Sequence, residues 1–329
     1  MDVRQLKYFV QIVDSGSLAK ASRQLFIAQP ALSQQMARLE MEVGKALLLR
    51  SSRGVSATEN GKALYHHARF LLRQMEQAIA IARQDRSALS GRVALGLAPT
   101  TLCRLGMPLL LHLRAKYPGL MLNVIEGLSG YLEQMTRNSQ FDVALLFSAD
   151  VAPDMASEPL LEEELYLIVP VNSPLVPRNR MSLSLREVAD LPLFLSTPLH
   201  GLRRRIALEF ERVNLPMKLA GEVDSLPMLM ACVARGLGAT IAPMAATHVV
   251  EGDAKQWRCL RISDARLTRT SYLYSLPPQQ IPDCARVVRD EICSLVRDLV
   301  NANAWQGARL LVDGPVELPD ARERAALVS

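Results

Sequence analysis

AQPALSQQMARLE, residues 28–40, has the spacing of an amphipathic helix and almost no charge on its polar side. Leu32, Met36, Leu39 and Val43 recur at steps of four, three and four, which predicts a buried stripe. At about 100° per residue, Gln34 falls nearly opposite that stripe, flanked by Pro30 and Ala37, with Ser33 nearer one edge. A solvated helix face would carry Lys and Glu. This face is small, uncharged and rich in groups that both donate and accept hydrogen bonds. It suits a groove of DNA, where amides and hydroxyls pair with base edges and a small Ala permits close approach.

The flanking segments fit the same reading. Upstream, Leu6, Phe9, Val10 and Val13 lie at helical spacing. Gly16 then suits a helix C-terminus and Ser17 the next N-cap. A short helix over Leu18–Leu25 and a tight turn at Phe26–Ala28 lead to Pro30, near a helix start where its missing N–H costs little. Helix, turn, helix is a DNA-binding arrangement. Downstream, ALLLRSSRGVSATENG contains two short strand-like runs, Leu47–Arg50 and Val55–Thr58, around the turn SSRG. This predicts a β-hairpin wing with Arg53 at its tip. Arg53 would meet the minor groove or a phosphate, or be a solvated loop arginine.

From Thr58 a long helix is predicted to about Arg86. Gly61, Leu64, Ala68, Leu71, Met75, Ala78 and Ala82 step alternately by three and four, with Tyr65, Leu72 and Ile79 as a second row. The stripe either packs on its own domain or forms a dimer seam. Its position between two domains favours the seam, carried by Leu64, Ala68, Leu71, Met75 and Ala78. SALSG then marks a boundary near Ser90.

Beyond it, strand and helix patterns alternate. RVALGLAP, LMLNVIEG, FDVALLF, EELYLIVP, LPLFLS, KLAGEV and GLGATIAP read as strands. Thr100–Lys116, Gly130–Asn138, Leu202–Arg212 and Leu226–Arg235 read as helices, and Pro282–Leu299 as a closing helix. Glu162–Glu164 reads as a solvated turn, and the last thirty residues receive no assignment. The result is an α+β multi-domain chain. It has a winged helix-turn-helix domain over 1–58, a linker helix over 59–89, two α/β lobes over 90–300 and a tail over 301–329.

Charge follows the same division. The 329-residue chain carries +5 overall, but residues 1–92 hold 14 Lys+Arg against 7 Asp+Glu, leaving 24 against 26 for the rest. A basic front on a near-neutral body is the footprint of a polyanion binder. No signal peptide or membrane span is expected, and the five scattered cysteines, with no CxxC pair, fit a reducing cytoplasm and no structural zinc. No GxSxG, GxGxxG or P-loop supports an enzyme, and no cofactor is expected. His66 and His67 are adjacent on the linker helix and cannot face one another. A transport-type binding protein would need a signal peptide.

LKYFVQIVDSGSLAKASRQLFIAQPALSQQMARLE, LLLRSSRGVSATENG, GRVALGLAP and CVARGLGATIAP together resemble the LysR-type transcriptional regulators over about residues 1–300. IAQPALSQQ, RGVSATENGK and GLAPTT are most similar to the nitrogen assimilation control subgroup. The resemblance implies an effector domain like a type 2 periplasmic binding protein. It also implies a homodimer or homotetramer whose grip on promoter DNA, and whose activation or repression of transcription with RNA polymerase, responds to a small anionic effector in the cytoplasm, at the nucleoid. It assigns DNA contacts to Gln29, Pro30, Ser33, Gln34 and Arg53. It assigns effector contacts to Thr100, with Thr101 beside it, to Ser129 and to the Thr197 region. Each of these follows a strand, where a helix N-terminus could meet an anion, or where the hydroxyl could be an ordinary N-cap. His200 could face a ligand carboxylate, but a solvated histidine is favoured, and Arg203–Arg205 read as a solvated helix face.

Overall fold

The computed structural model describes residues 1–51, 54–83, 89–249 and 256–311. The chain divides into two compact units. The first comprises 1–146, 150–156 and 274–292, the second 147–149, 157–273 and 293–329. These units cut across the segment boundaries read from the sequence.

The first unit opens with three helices, α1 (Val3–Ser15), α2 (Leu18–Leu25) and α3 (Gln29–Val43). Asp2 and Gln5 form a reciprocal capping box at the start of α1. Gly16 closes α1 in the left-handed region, and Ser17 accepts the Lys20 N–H at the start of α2. Phe9, Ile12, Ala21, Leu32, Met36, Leu39, Leu47 and Leu48 form one buried cluster. The predicted stripe of α3 therefore holds except at Val43, which is 41% exposed. Val43 is the last residue of α3 before the left-handed Gly44 and extends beyond the core.

Strands β1 (Leu48–Ser51) and β2 (Gly54–Ala57) pair antiparallel, Leu48 opposite Ala57. The Val55 N–H donates to the Gly16 carbonyl at 2.8 Å, so the wing is tied to the α1–α2 turn. Arg53 lies outside the described residues. The linker helix α4 (Glu59–Arg83) starts on Thr58, whose Oγ1 accepts the Gly61 N–H at 2.9 Å. The predicted extension to Arg86 lies outside the described residues.

Next come β3 (Gly91–Leu97), α5 (Pro99–Lys116), β4 (Leu120–Glu126), α6 (Ser129–Arg137) and β5 (Val143–Leu146). β3 is parallel to β4 on one side and to β5 on the other. Val93 through Leu97 are buried, as befits a strand covered on both faces.

The second unit is built around the long strand β6 (Ala156–Pro170), followed by β7 (Ser182–Leu183), α7 (Leu185–Ala189), β8 (Leu193–Leu195) and α8 (Gly201–Arg212). β9 (Leu219–Glu222), α9 (Leu226–Ala234), β10 (Thr240–Pro243), β11 (Trp257–Ile262) and β12 (Thr268–Ser275) continue it. Both β10 and β11 pair antiparallel with β6, while β8 and β9 run parallel. Leu167, Val169, Leu193, Ile206, Phe210 and Ile241 are among its core residues.

One expectation about this unit is corrected. Glu162–Glu164 are not a solvated turn but part of β6, and Glu163 is 2% exposed. It forms a salt bridge with Arg269 at 2.7 Å and accepts the Trp305 indole N–H at 3.0 Å. After the closing helix α10 (Asp283–Asn301), the described part of the segment left without assignment, up to residue 311, packs back on β6. Trp305 is buried, and β13 (Ala308–Leu310) pairs with Leu161–Glu163 of β6. The predicted tail beyond Leu311 lies outside the described residues.

Among the described residues no helix is long and apolar enough to cross a membrane.

Candidate nucleic-acid interface and effector positions

Pro30 near the start of α3 pre-sets the helical φ, and the buried Leu32, Met36 and Leu39 fix which side of the helix is left outside. That side is Gln29, Pro30, Gln34 and Ala37, all exposed. Ser33, at the edge of this face, is half-buried, and its hydroxyl oxygen accepts an Arg50 Nη1–H from β1 at 3.0 Å. Arg50 had no place in the sequence reading. The signal was present in the strand pattern, since Arg50 is one of the two residues beside the wing turn.

The two carboxylates of α3 are engaged, Glu42 with the N-terminal ammonium and Glu40 with backbone. Glu40 accepts the backbone N–H groups of Leu47 and Leu48 at 2.8 and 3.0 Å. Asp14 accepts from the Tyr65 hydroxyl, and Glu59 pairs with Lys62. Among the described residues Lys20, Arg23, Arg38, Lys45 and Arg50 make no ion pair. Cations outside any ion pair, on a segment with twice as many Lys and Arg as Asp and Glu, give a field that attracts a polyanion.

The α4 stripe splits in two. Ala68 is fully buried, and Leu64 packs with Tyr65 against the core of the winged domain. Gly61 is also buried there, so its place in the three-four spacing reflects packing within the chain. Leu71, Met75 and Ile79 are 46%, 40% and 47% exposed, and Ala78 is exposed with them. The side chain of Ala82 lies outside the description.

Thr100, Thr101 and Ser129 are 6%, 1% and 8% exposed, at the first turns of α5 and α6. The ordinary-cap alternative fails at both helices. The N-cap residues are Ala98 and Leu128, and neither helix has a side-chain cap hydrogen bond. Thr100 is the second helical residue of α5, and Ser129 the first of α6. Both residues therefore belong to first turns, where backbone N–H groups lack helical partners at the positive end of a helix dipole.

In the second unit, Thr197 is held by Asp224. Its N–H and hydroxyl donate to the two carboxylate oxygens at 2.8 and 2.9 Å. Burial opposes the charge on Asp224, but these bonds and the neighbouring His200 outweigh it and hold the carboxyl below its usual range. His200 is not the solvated histidine favoured from sequence. It is the N-cap residue of α8, with Nε2 3.5 Å from Asp224 and a side chain 13% exposed. Its Nδ1 is buried with no hydrogen-bond partner among the described residues. The Arg203–Arg205 run is not uniformly solvated either. Arg203 is 8% exposed, while Arg204 is exposed and Arg205 binds the Thr268 and Arg266 carbonyls.

Two family models match the chain. The bacterial regulatory helix-turn-helix protein model of the lysR family covers residues 3–62, and the LysR substrate binding domain covers residues 86–294. The chain is 39% identical over 297 residues to the nitrogen assimilation regulatory protein nac of Klebsiella aerogenes, across 90% of this chain and 95% of that protein. It is 35% identical over 308 residues to the protein of the same name in Escherichia coli (strain K12), across 93% and 99%. In fold it is similar to a full-length OxyR variant from Pseudomonas aeruginosa, with a TM-score of 0.68 at 22% identity, covering 89% of this chain and 98% of that one. CbnR, a LysR family transcriptional regulator, gives a TM-score of 0.63 at 20% identity over 89% and 98%.

Proposed function

This chain belongs to the LysR family of transcriptional regulators and is a DNA-binding regulator with an effector-binding domain, and we propose how its residues divide that work. Residues 1–58 bind promoter DNA, 59–89 link and dimerise, and 90–300 sense the effector. Gln29, Pro30 and Gln34 of α3 face the base edges, with Ser33 at the rim, and Arg53 of the wing meets backbone or minor groove. The observation that carries this is the outward side of α3, where Gln29, Pro30, Gln34 and Ala37 are exposed beside the cation Arg38, opposite a buried stripe. Lys20, Arg23, Arg38 and Arg50 supply unpaired cations nearby.

Supporting an anionic effector are Thr100, Thr101 and Ser129, buried in the first turns of two helices that no side chain caps. Thr197 and His200 are the candidate contacts in the second unit. The exposed row Leu71, Met75 and Ala78 is the dimer seam, while Leu64 packs on the winged domain's own core and Ala68 is buried within the single chain. The regulator works at the nucleoid in the cytoplasm, with RNA polymerase as the partner that reads out its binding.

The test is a gel shift on the DNA upstream of its own gene at two salt concentrations, against random competitor. A sequence-specific complex that weakens with salt supports the reading. The effector assignment is tested by thermal-shift screening of small carboxylates, then by Thr100→Val. Loss of the ligand-induced shift with an unchanged apo transition supports a ligand hydroxyl. A lowered apo transition with the full ligand shift makes Thr100 structural only.

A further inference from the structure

Ser33 and Arg50 are joined across the winged domain, one on α3 and one on β1, by a hydrogen bond of 3.0 Å. We infer that Arg50 is a DNA-backbone contact and that Ser33 acts by positioning its guanidinium, not by reading a base. This rests on the proposal that α3 is the DNA-facing helix.

Arg50 has unfilled hydrogen-bonding capacity. It is exposed and makes no ion pair among the described residues. A guanidinium carries five N–H donors in a planar fork, and a neutral hydroxyl satisfies only one of them. The remaining donors are those that match a phosphate bidentately. The side chain is also held at both ends. Its backbone lies in the β1–β2 ladder, with Arg50 opposite Val55, and Val55 is itself tied to Gly16. Its tip is fixed on Ser33. A long side chain so restrained loses little further freedom on meeting a fixed anion.

Its place then selects phosphate over base. Gln34 lies nearly opposite the buried stripe, while Ser33 lies to one side and is half-buried. A helix that presents Gln34 to the floor of a major groove presents its flanks to the sugar–phosphate walls. Arg50 is on the flank next to the wing. Ser33, half-buried at the side of the helix and bonded to Arg50, is placed to orient the guanidinium instead of reaching the groove floor.

A double-mutant cycle tests this on the full-length protein. Fluorescence anisotropy with a specific promoter duplex and a random duplex, across a salt series, gives the affinities for wild type, Ser33→Ala, Arg50→Gln and the double variant. Arg50→Gln should weaken both duplexes by a similar factor, about tenfold, and reduce the log–log salt slope by about 0.9, one phosphate's worth. Ser33→Ala should weaken both by a smaller common factor, and adding it to Arg50→Gln should cost nothing more. Arg50→Lys, which keeps the charge but not the fork, should recover the slope and only part of the affinity. Additive losses, or a Ser33→Ala loss confined to the specific duplex, would overturn the inference and return Ser33 to base reading. No binding to either duplex by the wild type would instead reject α3 as the DNA-facing helix. Both residues reach the surface, and matching thermal transitions confirm that the variants fold.

Discussion

Gly61 of α4 lies so close to Leu47 that a Cβ at position 61 would sit 2.0 Å from the Leu47 carbonyl oxygen and 2.9 Å from its carbon. Both neighbours are backbone, so neither can swing away as a flexible side chain could. The first turn of the linker helix is thereby seated against the strand that begins the wing. Gly61→Ala should destabilise the winged domain by about 1–3 kcal/mol or more. Urea unfolding followed by circular dichroism measures this, and an unchanged midpoint would mean that α4 is not seated there.

The pair Glu163–Arg269 gives a second prediction. The two side chains are 2% and 8% exposed, the Arg269 guanidinium lies 3.9 Å from the Phe147 ring centroid, and Trp305 completes the set. Glu163→Gln removes the carboxylate charge that pairs with a buried guanidinium, at a cost of about 3–5 kcal/mol. Trp305→Phe removes one hydrogen bond to a charged group and should cost less, about 1.5–3 kcal/mol. Comparable losses in the two variants would contradict the view that the ion pair dominates.

Acid sensitivity should centre in part on Glu291. Its carboxylate accepts from Lys116 Nζ at 2.5 Å and the Tyr117 hydroxyl at 2.9 Å, and lies 2.7 Å from His112 Nε2. Burial alone would push its pKa up, but these bonds together hold it below the ordinary range. A depressed folded-state pKa means the contribution is fully present above the unfolded value of about 4.3, and is lost as pH falls through the lower folded value. Glu291→Gln should therefore be less stable at pH 7 and show a shallower loss below about pH 4.3. Parallel acid limbs for the two proteins would exclude Glu291 as a contributor.

How much of this was legible in the sequence depends on the range of the interaction. The α3 stripe, the Gly16–Ser17 stop and start and the strands of the first lobe are local patterns, and periodicity finds them. Glu163 could not be read that way, because its partners stand 106 and 142 residues further along the chain. Three consecutive glutamates suggest solvent until the distant Arg269 and Trp305 are brought to them. The linker helix shows another limit. Three-four spacing marks an apolar stripe but not the surface that covers it: Leu64 packs on the winged-domain core and Ala68 is buried in the single chain, while Leu71 and Met75 are exposed. At α5 and α6 the hydroxyl next to each helix start was visible, but not that Ala98 and Leu128 take the cap positions.

The exposed remainder of that stripe carries the oligomer prediction. Leu71→Asp places a charge where a partner helix would bury it, and should split the dimer. Since Leu71 is 46% exposed in the single chain, the variant should still fold as a monomer. Analytical ultracentrifugation at micromolar concentration should show the shift. An intact dimer would move the seam elsewhere.

Gln34 is exposed on the side of α3 away from Leu32, Met36 and Leu39. A base-reading amide should matter only where the right base is present. Kd measured for wild type and Gln34→Ala on a specific promoter duplex and on random duplex, in the same buffer, should differ by about 1–3 kcal/mol on the first and little on the second. Equal losses on both duplexes, or none on either, would contradict the claim that this face reads sequence.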